Sequence, residues 1–372
     1  MSPTVLVELG PTLDVAAWAG RHARGEVPDR IPYGLHRLAD EGMSVLVRRP
    51  SRSWPVVQFS RIGAKLTGGV RWPDNALGRP SPSAADARLF WDERSAVPAL
   101  LMNGGAAERR PVITGVIWNT EQNAGLSPLA RWVNETALRK ADAIYVNSSA
   151  QVPVLCAQRG IANSRIHFVH FGIDTDFWDP TLPACTEFPG ADTSRLPDGQ
   201  ERPLILSVGN DRHRDHEMLL TVMRELHAEL PVARLELVTS APQQIPSEVG
   251  NWRPSVTHPQ LRDLYRKARV VAICTRPNIH ASGLTVTLES MAMGRPVIAT
   301  YTPGLEDYIV DGETGVLVPA NDPGAMVRGL VDLLADPDRC ARLGAAARQR
   351  VLRGFSTQAM CQRLAGVIRS VI

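Results

Sequence analysis

The sequence predicts an α/β protein built from two parallel-sheet domains, and three observations carry that prediction. At 372 residues the chain exceeds one typical core and suits two. Short β-branched runs alternate with helical patterns along most of its length, the rhythm of a parallel sheet with crossover helices. That rhythm is interrupted around residues 179–203, rich in Pro, Asp, Gly and Thr, and then restarts. We therefore place a first domain at 1–180, a linker at 181–203, a second domain at 204–353 and a terminal helix at 354–372 that packs back on the first domain.

In the first domain, residues 4–9 (TVLVEL) read as a buried strand. Residues 33–41 read as a helix and 43–47 as a second strand. Between them residues 10–31 form an unusually long connection, and such loops are more often functional than idle. Residues 51–82 carry no assignable pattern. A helix is expected at 91–101, a strand at 112–118, a helix at 129–140, a strand at 143–147, a helix at 150–159 and a strand at 166–170. Gly172 and Asp174 follow as a turn; Asp174 either caps it or faces a ligand.

The second domain begins with a strand at 204–208, a helix at 216–230 and a strand at 234–238, then a helix at 260–268 and a strand at 270–274. Residues 276–318 are the most informative stretch: a polar loop, a helix of about three turns, a β-branched strand, a short loop and another strand, one βαβ step of a parallel sheet. Residues 324–372 are mostly helical, with Gly354 as a break. No internal repeat is apparent.

Composition bounds the function. The formal charge of +3 is mild and the basic residues are scattered, which argues against nucleic acid as a partner. Lysine occurs only at Lys65, Lys140 and Lys267, a bias toward arginine that fits a GC-rich bacterial genome. Five cysteines without a C-x-x-C pair suggest a reduced, cytoplasmic protein without structural zinc. No run of about 18 apolar residues occurs, so any membrane contact is expected to be peripheral.

Parallel sheets place ligands at the carboxyl ends of their strands, where helix N-termini point. Ser282, Gly283, Leu284 and Thr285 open the helix of the βαβ step and suit a phosphate or diphosphate. Glu289, one turn further in, can add a carboxylate. A second candidate is the loop after the first strand of this domain, led by Gly209 and carrying Arg212 and Arg214. Guanidinium groups pair bidentately with phosphate oxygens; alternatively these arginines pair with Asp211 and Asp215 in a solvated loop. In the first domain, Trp118, Asn119, Thr120, Glu121, Gln122 and Asn123 concentrate polar groups at a strand end, either to bind hydroxyls or as a capping turn. Asp92, Glu93 and Arg94 are either an acceptor contact or a salt-bridged helix start.

Residues 141–149 (ADAIYVNSS), 172–177 (GIDTDF), 205–209 (ILSVG), 283–298 (GLTVTLESMAMGRPVI) and 311–318 (DGETGVLV) together resemble the retaining GT-B glycosyltransferases of family 4. The resemblance implies a GT-B fold, with two Rossmann-like domains facing a cleft and a nucleotide-sugar co-substrate held mainly by the second domain. It further implies no other cofactor, no metal requirement and an acceptor entering from the first domain. Glu289 matches the second glutamate of the family's pair, which binds the donor ribose. The first falls at Ala281, so His280 or Asn278 is expected to take over at the sugar. The family's phosphate-binding basic pair falls at Asn210 and Asp215, leaving Arg212 and Arg214 to supply charge. A family histidine aligns with Asn119. Catalytic candidates are thus Asn119, Glu121 and His280; donor-binding candidates are Gly209, Arg212, Arg214, Thr257, Leu261, Ser282, Gly283, Leu284, Thr285 and Glu289, with the base near Thr257 to Leu261.

The expected activity is retaining transfer of a sugar, from UDP before other nucleotides, to a hydroxyl of a small-molecule, lipid-linked or other envelope-precursor acceptor. Two other readings compete: a catalytically impaired nucleotide-sugar-binding partner protein, motivated by Ala281 and Asn119, and a GT-B-fold sugar-nucleotide epimerase, which should carry more carboxylates around the sugar.

Overall fold

A computed structural model describes residues 2–10, 13–48, 84–102, 109–118, 120, 127–185 and 202–372. By internal contacts it divides into two units: residues 1–23, 29–170 and 357–372 form one, and 24–28 with 171–356 the other.

The first unit is built on a six-stranded parallel sheet in the order β2-β1-β3-β4-β5-β6. These strands are β1 (Thr4–Glu8), β2 (Ser44–Val47), β3 (Ala87–Phe90), β4 (Val112–Gly115), β5 (Ala143–Val146) and β6 (Ile166–Phe168). Its helices are α1 (Val15–Ala23), α2 (Glu93–Met102), α3 (Pro128–Leu138) and α4 (Gln151–Arg159). Phe90, Val97, Leu100, Leu138, Ile144 and Leu155 pack one continuous core between sheet and helices. The central strands β3, β4 and β5 are buried along their length, as strands covered on both faces require.

Three expectations are corrected here. The connection at 10–31 contains helix α1, in which no residue is fully buried. The helix expected at 33–41 is a 3-10 helix, Pro32–Ala39, with Tyr33 and Gly34 in left-handed conformation. Strand β3 was hidden because it is short and contains Arg88. That arginine is buried and donates to Glu8 at 2.8 Å, and the pairing is what admits a charge to a central strand.

Asp92 and Glu93, read as an acceptor contact or a salt-bridged helix start, act at the helix start through backbone N–H groups rather than through a salt bridge with Arg94. Asp92 accepts from the Ser95 N–H, while the fully buried Glu93 accepts from the N–H groups of Ile117 and Trp118. Glu93 thereby ties the start of α2 to the segment leaving β4.

The second unit carries a six-stranded parallel sheet in the order β12-β11-β10-β7-β8-β9. Its strands are β7 (Leu204–Val208), β8 (Arg234–Val238), β9 (Gly250–Arg253), β10 (Val270–Ile273), β11 (Val297–Thr300) and β12 (Val316–Val318). The helices are α5 (His216–Glu229), α6 (His258–Lys267), α7 (Leu284–Ala292), α8 (Pro323–Ala335) and α9 (Pro337–Gly354). Strand β9 (GNWR) escaped prediction because it has almost no apolar pattern; among the described residues it is an edge strand, paired with β8. Ile205, Leu219, Val222, Leu235, Val270, Ile298 and Leu330 belong to one core cluster.

Helix α10 (Thr357–Arg369) is grouped with the first unit, where Thr357 donates to Asp29 at 3.2 Å and Cys361 to the Gly34 carbonyl at 3.3 Å. Asp174 accepts from the N–H groups of Asp176 and Phe177, the capping role that was one of its two readings. Among the described residues no helix is long and apolar enough to cross a membrane.

Candidate functional site

In the second sheet, chain order reverses between β7 and β10: from β7 the chain moves outward through β8 and β9, from β10 through β11 and β12. The crevice outside the carboxyl ends of the strands at such a reversal is the usual ligand position in these sheets. The loop after β7 carries Gly209 to Asp215; the loop after β10 carries Thr275 to Gly283. They are stitched together where Arg214 bridges Thr275, with Arg276 donating to the His213 carbonyl and Asp215 to the Cys274 carbonyl.

Arg214 is the centre of this crevice. Gly209 has a φ of +149° and Gly283 a φ of +94°, conformations that favour glycine. A Cβ on Gly209 would lie 2.3 Å from Arg214 Nε, and one on Gly283 2.8 Å from Nη1. Two glycines 74 positions apart thus clear the space one guanidinium fills. Arg214 is buried, and its Nε and Nη1 have no hydrogen-bond partner. Burial lowers its pKa, and the Asp211 carboxylate works the other way. Unsatisfied buried donors of a cation call for an explanation, and an anionic ligand supplies one.

Helix α7 begins beside it. Gly283 is its N-cap and no side chain caps it, so the first turn offers backbone N–H groups to a ligand. The buried Ser282 hydroxyl also lacks a partner. Asn278 shapes the approach, donating to the Arg276 carbonyl and accepting from the Ser282 N–H, both at 2.9 Å. Ala281 is held at a φ of +54° in the same turn, a left-handed conformation costly for a residue with a Cβ.

Of the other expected residues, Leu284 is buried at the helix start and Thr285 is exposed. Glu289 is buried, and its Oε2 accepts from the Tyr265 hydroxyl of α6 at 2.9 Å. Burial pushes its carboxyl up to about 8, and the Tyr265 hydrogen bond opposes this. Thr257 is the N-cap of α6 in a reciprocal capping box with Gln260, and Leu261 follows in the first turn. Arg212 is exposed and lines a cavity of about 650 Å³ with Arg214, Arg224 and Arg276, against the start of α5 and residues 239–243 after β8. Asp211 and Asp215, the expected partners of the arginines, have other roles: Asp215 caps α5, and Asp211 sits between two histidines. Asn119 and Glu121 lie outside the described residues.

His280 is buried, with Nε2 3.2 Å from Asp211 Oδ2. Asp211 Oδ1 accepts from the His213 N–H at 2.7 Å and lies 3.3 Å from His213 Nδ1. Sequence reasoning singled out His280 but missed its partners. Asp211 and His213 stood in the quoted Gly209 loop, yet only the β7–β10 pairing brings them to a residue 69 positions away. Tyr265, the partner of Glu289, gave no signal beyond being an aromatic on an amphipathic helix.

Comparison with known proteins accords with this geometry. The family described as Glycosyl transferases group 1 matches residues 202–336. Alpha-maltose-1-phosphate synthase of Mycolicibacterium smegmatis is 30% identical over 280 residues, covering 68% of this chain and 70% of that protein. D-inositol 3-phosphate glycosyltransferase 1 of Catenulispora acidiphila is 29% identical over 271 residues, covering 67% of this chain and 62% of that one. Among solved structures, sucrose-phosphate synthase from Thermosynechococcus elongatus superposes with a TM-score of 0.69 at 18% identity, covering 99% of this chain and 98% of that one. Anabaena HepE in complex with UDP and glucose gives 0.66 at 15%, covering 99% and 100%. The architecture is that of the two-domain GT-B fold.

Proposed function

The chain belongs to the group 1 glycosyltransferases, enzymes that use nucleotide-sugar donors, and from that premise we propose a retaining transferase that moves a hexosyl or related unit from a nucleoside diphosphate. UDP is the first candidate nucleotide, since HepE was solved with UDP and glucose. The acceptor in this reading is a hydroxyl of a small molecule or envelope precursor, and the enzyme works in the cytoplasm without a resident cofactor.

The observation that carries the proposal is Arg214, buried between Gly209 and Gly283 with unpartnered guanidinium nitrogens, next to the uncapped start of α7. Cation and helix dipole together suit the charge that grows on a departing diphosphate. In this assignment Arg212 assists from the cavity rim, Ser282, Gly283, Leu284 and Thr285 hold phosphate oxygens, and Glu289 takes the ribose. Thr257 and Leu261 lie by the base, and His280 faces the sugar. As the resemblance to the retaining family implies, the leaving diphosphate itself helps deprotonate the acceptor in this reading. Asn119 and Glu121 are assigned to the acceptor side from the sequence.

A thermal-shift screen against UDP-, GDP- and dTDP-sugars tests the donor, because a ligand at 100 times its Kd stabilises by about 2.7 kcal/mol. Glu289→Ala and Arg214→Ala should each lower turnover at least tenfold, about 1.4 kcal/mol of lost transition-state stabilisation. Unchanged kinetics in both sink the assignment. Retention is read from the anomeric configuration of the product by NMR. Ala281, where the resembled family has a carboxylate, favours one competing reading, a donor-binding partner without turnover; donor binding with neither transfer nor donor hydrolysis would establish it.

A further inference from the structure

The cavity of about 650 Å³ beside the Gly209 loop lies on the β8 side of β7, whereas helix α7 follows β10 on the other side. Its volume is that of a small-molecule pocket. Along α5 it is lined by Glu217, Leu220, Thr221 and Arg224, a spacing of three and four that puts them on one helix face. Asn210 fixes the β8 side. Its Oδ1 accepts from the Ser240 N–H at 2.6 Å, the Ser240 hydroxyl at 2.9 Å and the Thr239 hydroxyl at 3.1 Å. These bonds tie the loop after β7 to the turn after β8 and leave the Asn210 amide nitrogen as a donor.

Four guanidinium groups line the cavity, those of Arg212, Arg214, Arg224 and Arg276, against the carboxylates of Asp211 and Glu217. Two of the four are poorly neutralised within the fold. Arg224 pairs with no carboxylate among the described residues, and Arg276 Nε lies 3.9 Å from Asp215 Oδ2, beyond hydrogen-bond reach. Asp211 is already engaged by the His213 N–H and by His280. An excess of guanidinium over carboxylate in a concave site calls for an anion, and the planar fork of arginine matches phosphate oxygens. The Glu217 carboxylate and the Thr221 hydroxyl beside it suit hydroxyl groups rather than further negative charge.

We propose that this cavity is a second anion site, separate from the donor diphosphate, which binds a phosphate monoester of a sugar or polyol. Arg224 and Arg276 are assigned to the phosphate, Glu217 and Thr221 to the hydroxyls. Arg214 is the wall shared with the cradle, so the position of the site beside the diphosphate rests on the donor reading above. The same chemistry serves two roles. As an acceptor, the ester uses one hydroxyl to replace the nucleotide on the anomeric carbon of the donor sugar, and its proton leaves with the nucleoside diphosphate. As an effector, it binds and departs unchanged.

Inorganic phosphate, glucose 1-phosphate, glucose 6-phosphate and glycerol 3-phosphate are titrated calorimetrically into the full chain, alone and after saturation with UDP. At least one ester should bind with a Kd of about 1 mM or below, with UDP present as well as without it. Arg224→Gln and Arg276→Gln, both at exposed positions, should each weaken that binding at least tenfold. Arg224→Gln should leave UDP affinity at the wild-type value, and Arg342→Gln, at an exposed arginine of α9 outside the cavity, should change neither. Incubation with UDP-glucose then separates the roles: an acceptor is consumed as UDP is released, and an effector is recovered whole. Binding of no ester, displacement of the ester by UDP, or affinity indifferent to both substitutions overturns the second site. UDP binding without ester binding refutes this site and leaves the donor reading standing; ester binding without UDP binding refutes the donor reading alone.

Discussion

Replacing Glu289 with Gln isolates one buried ionisation. Glu289 is 7% exposed on the second turn of α7, where its Oε2 accepts from the Tyr265 hydroxyl. Burial moves its carboxyl from an ordinary 4.5 to about 8, so between those values the folded chain holds a proton that the unfolded chain has released. Because the folded pKa is the higher one, the stabilisation is fully present below about pH 4.5 and is lost as pH rises through about 8. One proton is worth at most about 1.4 kcal/mol per pH unit, so about 5 kcal/mol is at stake across that window. Tyr265 is held well above its ordinary range, by burial first and then by Glu289, and stays neutral throughout.

Glutamine keeps the shape and an acceptor for Tyr265 but cannot ionise. The second unit should therefore lose stability between pH 5 and pH 9 in the wild type and much less in Glu289→Gln. With about 2–4 °C per kcal/mol for a unit of this size, the difference in Tm between the two proteins should change by the order of 10 °C. Differential scanning calorimetry across that range reads it directly. Parallel pH profiles for the two proteins would refute the reasoning and mean that Glu289 ionises freely in the folded state.

Two further predictions follow from backbone geometry. Gly209→Ala or Gly283→Ala drives a methyl into the Arg214 guanidinium, and nucleotide affinity measured by calorimetry should fall as far as in Arg214→Ala with the circular dichroism spectrum retained; wild-type affinity in both would dissociate the cradle from ligand binding. Ala281→Gly relieves a left-handed residue at a cost normally about 1–2 kcal/mol, set against glycine's unfolded-state entropy of about 0.5–1 kcal/mol. Urea denaturation should show stability unchanged or raised by up to about 1 kcal/mol, and a loss larger than that would mean the Ala281 methyl packs better than its φ suggests.

Much of the architecture was legible because buried parallel strands are written as short β-branched runs. β1, β5, β7, β8, β10 and β11 all announce themselves that way. β3 and β9 did not, since one hides a paired arginine and the other lies at an edge with polar residues. α1 lies in a stretch that reads as a long connection, and none of its residues is fully buried. At the site, Gly283 and Glu289 were legible from the loop-helix pattern, and Gly209 and Arg214 from a glycine-led loop after a strand. The Asp211–His280 and Glu289–Tyr265 contacts were not.

The sequence by itself determined the kind of protein: two cores, parallel sheets, and a second domain whose loops and glycines suit an anionic ligand. Those properties are local, set by periodicity, side-chain volume and the conformational freedom of particular residues within a few positions of one another. Only the tertiary structure decided that β7 and β10 are neighbours, and with that pairing Gly209, Arg214 and Gly283 became one cradle and Asp211, His213 and His280 one cluster. Strand order depends on how whole helices and strands bury their faces together, and no window along the chain contains that information.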